Sequence, residues 1–304
     1  MMGKQSATIV KCKKADAETL NKVTIKVNRA AVKMQVQYGP GEDGNGVKVR
    51  PTLNADFSDC RFAFAQSAIQ MYMLRNDDQF TPTSKKAGAS TYDGLVALPA
   101  QANLTDDFFT QAVSAYSPDY ADNVYGGETV TETPTTGNAP YALIRLVCKP
   151  KKVYGNKTLS NGTFWVLARN EAKTATWIYA SDKDYNLLYF ASKADAEKYC
   201  NDNKLNQGVA ADKKYAAYEF TKGQCYYRVN IVHNADAEVL SQKFCAERNN
   251  YYRINVTDIK ALGSPTGAGV LPSDPDTPIE LDSWMVCEIL VAAWLPHENN
   301  TSLQ

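Results

Sequence analysis

The sequence has 304 residues, and its 33 Lys and Arg balance 33 Asp and Glu, so the formal net charge is zero. This balance argues against nucleic acid as a partner, because such binding depends on basic charge that neutralises phosphates. The length fits two ordinary domains or one large β domain, and the 18 tyrosines favour β-strands.

The histidines and cysteines restrict the chemistry that the chain can carry. The two histidines, His233 and His297, are too few and too far apart to predict a histidine metal site or general base. No two cysteines have the CxxC spacing of a zinc ribbon or a thioredoxin-like motif. Two interpretations of the thiols stay open: buried single thiols that pack as small hydrophobes, or one or two disulfides in an oxidising compartment. The seven cysteines are Cys12, Cys60, Cys148, Cys200, Cys225, Cys245 and Cys287.

Residues 22–38 alternate between apolar and polar side chains, and the phase of this alternation changes in the middle of the segment. Val23, Ile25 and Val27 lie on one phase, and from Ala30 onward the apolar residues occupy the other. Because a shift of one residue moves every side chain to the opposite face of a sheet, we expect a bulge or a break at residues 28–30.

Two further segments precede the middle of the chain. The segment Cys60–Arg75 alternates at Phe62 and Phe64 and then loses that period, which predicts a strand followed by an irregular stretch. Thr105 precedes two acidic residues, a pattern typical of the N-terminus of a short helix.

A domain boundary is predicted in the Thr-, Pro- and Gly-rich stretch Gly126–Pro140, whose composition is typical of a linker. We therefore expect an N-terminal domain over residues 1–138 and a C-terminal domain over residues 139–304. The second part contains a predicted hairpin, GTFWVLAR with TATWIYA, and a short helix opened by Ser192 and Asp195 as a capping box. Many short strands with few helices indicate antiparallel β-sandwiches.

The last predicted strand runs from Trp284 to Leu295 and is apolar on both faces except at Glu288. Such a strand must be covered on both sides, so we expect it to serve assembly as well as the fold. Pro296 ends its pairing and leaves residues 297–304 to reach another copy. The alternative is an ordinary closing strand followed by a disordered tail. The candidate assembly residues are Trp284, Val286, Ile289, Val291, Trp294 and Leu295.

The sequence contains no motif that carries chemistry: GxGxxG, GxxxxGK[ST], HExxH and GxSxG are all absent. We therefore predict no enzymatic activity and expect no cofactor and no metal site. No apolar run reaches 18 residues, so no transmembrane helix is predicted, and the first residues lack the apolar core of a signal peptide. Composition alone leaves open a cytosolic chain or a trimmed, exported one.

Three stretches resemble a known family when they are taken together. They are GQCYYRVNIVHN from Gly223, ERNNYYRINVTDIKALGSP from Glu247 and VCEILVAAWLP from Val286. Their order and content are similar to the C-terminal domain of the Mfa1-type fimbrillins, pilus subunits of Bacteroidetes bacteria. VTIKVNRAAVKMQV, from Val23, resembles the N-terminal signature of the same family. The resemblance covers both ends and about half of the chain.

The resemblance implies two transthyretin-like antiparallel β-sandwich domains in tandem and a structural role at the bacterial cell surface. Family members are exported as lipoproteins through the outer membrane. An arginine-specific protease then removes an N-terminal segment, and a strand donated by a neighbouring subunit fills the groove that opens. The implied partners are other copies, related fimbrial subunits and the protease. This chain departs from the pattern, because it lacks the signal segment and the lipidated cysteine.

Two arginines are candidates for the trimming site. Arg29 lies at the phase break, and Arg50 is second because Pro51 fixes the following backbone and hinders most trypsin-like cleavage. A bulged strand with a solvent-facing Arg29 is the structural alternative. A different function, a surface adhesin or glycan-binding β-sandwich, would use exposed aromatic side chains as its platform.

Overall fold

The computed structural model of the protein describes residues 10–13, 16, 22–27, 31–40, 44–72, 79–83, 92–114, 123–170, 177–271, 274–279, 285–293 and 297–302. Within these ranges the chain is mainly β, which confirms the predicted all-β class. The strands are β1 (Lys22–Val27), β2 (Ala31–Tyr38), β3 (Lys48–Val49), β4 (Ala55–Ala65), β5 (Thr110–Gln111), β6 (Val124–Gly127), β7 (Tyr141–Pro150), β8 (Phe164–Asn170), β9 (Trp177–Tyr179), β10 (Ala216–Phe220), β11 (Gln224–Asn230), β12 (Asn250–Ile259), β13 (Met285–Ala293) and β14 (His297–Ser302).

The helical elements of the same ranges are short. The α-helices are α1 (Lys193–Asp202) and α2 (Leu240–Lys243). The single 3-10 turns are Pro51–Leu53, Gln101–Asn103, Asp106–Phe108, Tyr154–Asn156, Ala211–Lys213, Thr221–Gly223 and Ala268–Val270.

Two larger sheets enclose the main core. One has the strand order β13-β12-β2-β6, with β3 also paired to β12, and the other has the order β11-β7-β4-β5. The alternation in β2 places Val32, Met34 and Val36 in the core, each 0% exposed. They share one apolar cluster with Ile144 of β7 and Tyr227 of β11. The period-2 pattern thus decides which side chains the two sheets bury against each other.

The strands on either side of the expected break at residues 28–30 belong to different sheets. β1 ends at Val27 and pairs with β14, whereas β2 begins at Ala31 and pairs with β12 and β6. Residues 28–30 themselves lie outside the described residues.

The predicted division at residue 138 does not separate two sandwiches. β2 pairs with β12 from the second half of the chain, and β4 pairs with β7 from Ala55↔Pro150 to Ala65↔Tyr141. Each large sheet therefore contains strands from both sides of residue 138. The pairing of β2 with β12 is parallel, so this sheet is mixed rather than wholly antiparallel as expected.

The predicted linker Gly126–Pro140 is a buried, hydrogen-bonded crossing. Thr129 is 0% exposed and exchanges two backbone hydrogen bonds with Ala246. The guanidinium of Arg228 donates from Nη1 to the carbonyl of Thr136 at 2.7 Å. Composition alone predicted a linker because Thr, Pro and Gly are frequent in loops, but here the backbone groups of Thr129 and Thr136 find hydrogen-bond partners inside the fold.

The inserted region between β7 and β11 carries the predicted hairpin and helix. β8 pairs antiparallel with β9 and with β10, which confirms the hairpin. In α1 the backbone N–H of Asp195 donates to Oγ of Ser192 at 3.2 Å, so the predicted cap is confirmed. The helix expected after Thr105 is only the 3-10 turn Asp106–Phe108, and Thr105 makes no side-chain cap.

Candidate assembly site

β13 is at the end of its sheet, and β12 is its neighbour in the strand order. It pairs antiparallel with β12 from Ile259↔Met285 to Asn250↔Ala293. Ile289 is half-buried and packs against the main core, whereas Val291 is 36% exposed. A strand at the end of a sheet presents one row of backbone N–H and C=O groups to its surroundings, which is the feature that strand addition needs.

The predicted assembly residues are only partly described. The backbone of Val286 lies opposite Asp258 in β12. Trp284, Trp294 and Leu295 lie outside the described residues, as does Pro296. The assembly role of these positions stays a prediction.

Residues 297–302 are paired, although the sequence led us to expect a free tail. β14 runs antiparallel to β1, from Lys22↔Ser302 to Val27↔His297. The prediction failed here because backbone pairing does not require apolar side chains, and those of β14 (HENNTS) are all polar. β1 and β14 therefore form a separate two-stranded sheet.

The two candidate trimming sites differ in their surroundings. Arg29 lies outside the described residues, in the three-residue connection between β1 and β2. Arg50 is exposed, but its N–H donates to the carbonyl of Ile259 at 3.0 Å and its carbonyl accepts from the N–H of Leu53. A protease that binds an extended segment would have to break these bonds at Arg50.

A polar cluster joins two of the signature stretches. The hydroxyl of Tyr252 accepts the N–H of Glu247 at 2.9 Å and lies 2.8 Å from Nδ1 of His233. Nε2 of His233 is 3.6 Å from the carboxylate of Glu247. The burial of Tyr252 raises the pKa of its hydroxyl, against a smaller lowering by the Glu247 N–H, so it stays a protonated structural group at neutral pH.

An ion pair joins Arg248, the residue after Glu247, to the buried Glu128 of the predicted linker. Nε and Nη2 of Arg248 lie 2.8 and 2.6 Å from Oε2 of Glu128, whose side chain is 4% exposed. Arg248 also donates to the carbonyl of Tyr72 at 2.7 Å. Sequence reasoning missed this pair, because the two residues are 120 positions apart and Glu128 stands in no motif.

A cleft of about 460 Å³ lies between α1 and β10, with Lys193, Glu197, Cys200 and Asn206 among its lining residues. Lys193 and Glu197 pair with each other at 3.5 Å, and Asn206 bonds both backbone groups of Tyr215. These polar groups hold the insertion together.

The part of the chain that the structure describes brings no three His, Cys, Asp or Glu side chains together in a group that could hold a metal ion. The same part contains no helix with the length and hydropathy required to cross a membrane.

The C-terminal strands coincide with a known family. Residues 218–300 match the family model described as major fimbrial subunit protein type IV, fimbrillin, C-terminal. This region of the chain is similar to the C-terminal part of fimbrillins. The matched fimbrillin-like region includes β11, β12 and β13, the polar cluster around Tyr252 and most of β14, so the resemblance expected from the sequence is confirmed.

Two solved structures are also similar to the chain at low identity. A fimbrilin from Porphyromonas gingivalis W83 has 15% identity and a TM-score of 0.33, and the match covers 88% of this chain and 59% of that one. A candidate cell adhesion protein from Bacteroides eggerthii DSM 20697 has 11% identity and a TM-score of 0.31, and the match covers 89% of this chain and 57% of that one. The chain therefore spans less than two thirds of either structure. No curated protein matches it. The assignment rests on the fimbrillin-like region alone.

Proposed function

We propose that the chain is a structural, non-enzymatic subunit of a bacterial surface fimbria and that it polymerises by strand exchange. The observation that carries this proposal is the match of residues 218–300 to the fimbrillin C-terminal family. The partners would be other copies and related fimbrial subunits, and the site of action would be the cell surface, reached by export through the outer membrane.

We further propose that cleavage after Arg29 by an arginine-specific protease triggers the exchange. β1 ends at Val27, two residues before Arg29, and its recorded strand partner is β14. Before cleavage the covalent connection holds β1 at a high effective concentration next to β14. An isolated two-stranded sheet is marginally stable in water, so the severed β1 would dissociate and expose the pairing edge of β14.

The exposed edge would then add to a sheet of a neighbouring subunit. Backbone hydrogen bonds supply affinity in this mode of recognition, and pockets for alternate side chains supply register. The side chains of β14 are polar, so the apolar contribution would come from Trp294 and Leu295, which Pro296 separates from β14. Each could contribute about 2 kcal/mol when buried.

The experiment exposes purified protein to an arginine-specific protease and reads the new N-terminus and the SDS-resistant ladder. Wild-type protein should be cut after Arg29 and then form a ladder. Arg29→Gln should give neither result, whereas the matched variant Arg50→Gln should behave as wild type. A chain lacking residues 296–304 should be cut normally but remain monomeric.

Two results would contradict the mechanism. Normal ladders from Arg29→Gln would remove Arg29 as the trigger, and normal ladders from the truncated chain would remove the C-terminal segment as the connector. A wild-type protein that is cut after Arg29 and never polymerises would count against the fimbrial role itself.

A second candidate function is glycan recognition by an adhesin. Tyr185 is 79% exposed and has a φ of 62° at a turn that the carboxylate of Asp182 closes through the N–H groups of Asp184 and Asn186. A bulky residue at positive φ is costly, and such outliers cluster at functional sites. A glycan array with wild type, Tyr185→Ala and the control Tyr125→Ala tests this role; loss of binding in Tyr185→Ala alone would support it.

A further inference from the structure

The charge of the chain is divided unevenly between the insertion and the rest. The insertion, residues 151–223, contains 12 Lys and Arg and 8 Asp and Glu, so its formal charge is +4 and that of the remainder is −4. Residues 261–304 contain six acidic residues and no Lys or Arg. The formal net charge of zero is therefore the sum of a basic region and an acidic region, each able to attract the other sign.

Three lysines of the insertion form a lysine cluster: Lys204 follows α1, and Lys213 and Lys214 precede β10. Asn206 draws these two stretches together, because its side chain bonds the N–H and the carbonyl of Tyr215 at 2.7 and 2.9 Å. All three lysines are exposed, and within the described ranges none of them makes an ion pair. Three positive charges thus lie in one region of the surface without a carboxylate to balance them there.

The sheet of β8, β9 and β10 places this cluster on the outer side of the insertion. Phe164 and Val166 of β8 belong to the main core, whereas Leu167 packs with Cys200 of α1 in a separate cluster. Successive residues of a strand face opposite sides of the sheet, so α1 covers the side that faces away from the main core. Lys204, just after α1, and the two lysines next to it lie at the end of this outer layer.

The acidic region contributes an exposed loop at the other end of β7. Asp274 and Asp276 are both exposed, and we call them the acidic loop. This loop is fixed to the chain just before β7, because the N–H of Gly137 donates to the carbonyl of Pro275 at 2.8 Å. The insertion begins directly after β7, which has ten residues, so the two attachment points lie about 30 Å apart. The length of β7 thus separates the two charged surfaces of one molecule.

We propose that the lysine cluster of one copy docks on the acidic loop of the next copy. Surfaces of opposite charge at opposite ends of a molecule favour a head-to-tail contact, and such contacts generate open filaments when the rotation between copies does not close a ring. Charge complementarity speeds the encounter and fixes the orientation of two partners more than it adds affinity. The docking would therefore align copies before strand exchange holds them together. The inference rests on the proposed fimbrial function only in that the partner is a second copy.

The first experiment treats uncut full-length protein with a carbodiimide, which joins a lysine amine to a carboxylate as an amide with loss of water. Isotopically labelled and unlabelled chains are mixed, so a cross-link between copies combines one labelled and one unlabelled peptide. Residues 261–304 form a single tryptic peptide, because they contain no Lys or Arg. We expect this peptide, modified at Asp274 or Asp276, to be joined between copies to a peptide that contains Lys213 or Lys214.

The yield of this cross-link should depend on salt. The Debye length is about 30 Å at about 0.01 M salt and about 3 Å at about 1 M. The contact between exposed charges should therefore be captured at the lower concentration and largely lost at the higher one. A cross-link found only within one chain, or no cross-link between these peptides at either concentration, would overturn the proposal.

The second experiment reverses the charges and measures self-association of the uncut chain by sedimentation at low salt. One variant reverses the lysine cluster (Lys204→Glu, Lys213→Glu, Lys214→Glu), and the other reverses the acidic loop (Asp274→Lys, Asp276→Lys). Each variant alone presents like charges at both ends, so its association constant should fall at least about tenfold. A mixture of the two should associate again, because the intact acidic loop of one variant meets the intact lysine cluster of the other.

The control variant changes three exposed lysines on or beside the two larger sheets, Lys48→Glu, Lys149→Glu and Lys260→Glu. It has the same net charge as the lysine-cluster variant and should associate as wild type. Asp276 accepts a hydrogen bond from the Tyr92 hydroxyl at 2.8 Å. The lysine-cluster variant, which removes no ion pair of the described residues, therefore decides the result if the acidic-loop variant does not fold.

Three results would overturn the docking: a wild-type chain that stays monomeric at low salt, an unchanged association constant in the lysine-cluster variant, or an equal loss in the control. Because the protein is uncut, none of these results bears on trimming or strand exchange, and the fimbrial function would stand. Docking of uncut copies would in turn support the proposal even if the trimmed chain never polymerises.

Discussion

Arg145 and Asp106 connect the sheet that contains β7 to the 3-10 turn Asp106–Phe108 on its outer face. Nη2 of Arg145 lies 2.5 Å from Oδ1 of Asp106, and the guanidinium lies 4.9 Å from the centre of the Phe109 ring. Arg145 is 1% exposed, whereas the Asp106 side chain is 63% exposed. A buried cation thus reaches a carboxylate at the surface and fixes the loop that covers this face.

This pair predicts an acid-dependent part of the stability. The hydrogen bond from Arg145 and its charge lower the pKa of Asp106. The contribution is therefore present above the unfolded pKa, about 3.9, and is lost as the pH falls through the lower folded pKa. Asp106→Asn should be less stable than wild type in urea unfolding at pH 7, and the difference should shrink below about pH 4. Asp107→Asn, one residue on, controls for charge loss; a difference independent of pH would contradict the prediction.

The ion pair of Arg248 with the buried carboxylate of Glu128 predicts a larger loss of stability than the pair of Arg145 with Asp106. Arg248→Met keeps an apolar stem and the backbone N–H bond to Glu128 but removes the guanidinium from the buried carboxylate, and removing one partner of a buried pair costs about 3 kcal/mol or more. Lys151→Met is the control, because Lys151 and Asp56 pair at 3.0 Å with side chains 55% and 71% exposed. Exposed pairs contribute little. Equal losses of unfolding free energy in the two variants would show that Glu128 does not depend on Arg248.

Two glycines test the close approach of β7 and β11. Gly223 and Gly208 have similar φ values of 71° and 72°, but an added Cβ meets nothing within 4 Å at Gly208 and the Cys148 carbonyl at Gly223. Gly208→Ala should therefore lose only the conformational cost of positive φ, about 1 kcal/mol. Gly223→Ala should lose at least about twice as much, because the backbone must also move. Urea unfolding of both variants measures the difference, provided that the unfolding free energy depends on urea concentration with a similar slope in each. Equal losses would mean that the backbone around Gly223 moves away from the added Cβ without cost.

The hydroxyl of Tyr252 predicts a fourth stability effect. Tyr252→Phe leaves the N–H of Glu247 without its acceptor and His233 without its 2.8 Å partner. A buried donor left unsatisfied costs about 1–3 kcal/mol; because this donor is partly buried, the loss should lie near the lower end, and the midpoint of thermal unfolding should fall accordingly. Tyr185→Phe, at an exposed hydroxyl, should leave the midpoint unchanged. An unchanged midpoint for Tyr252→Phe would mean that water or another group replaces the hydroxyl.

The fimbrillin resemblance was visible in sequence, but the structural role of its polar residues was not. The alternation in GQCYYRVNIVHN and ERNNYYRINV predicted strands, and these are β11 and β12. The same letters gave no sign that Arg248 holds Glu128 or that Arg228 holds the carbonyl of Thr136. The partners in these contacts are far apart along the sequence, so the contacts depend on which residues folding brings together in space.

The sequence by itself determined the strand content, the core face of β2, the break between β1 and β2 and the cap of α1. Each of these depends on residues within a few positions of one another, through side-chain alternation or a local hydrogen bond. The tertiary structure alone decided that β2 lies parallel to β12, that β4 and β7 share a sheet across residue 138 and that β14 pairs with β1. Backbone N–H and C=O groups are nearly the same at every residue, so they do not select a strand's partner. Strand order and direction depend instead on how the apolar faces of whole sheets are covered, and a local sequence pattern does not contain that information.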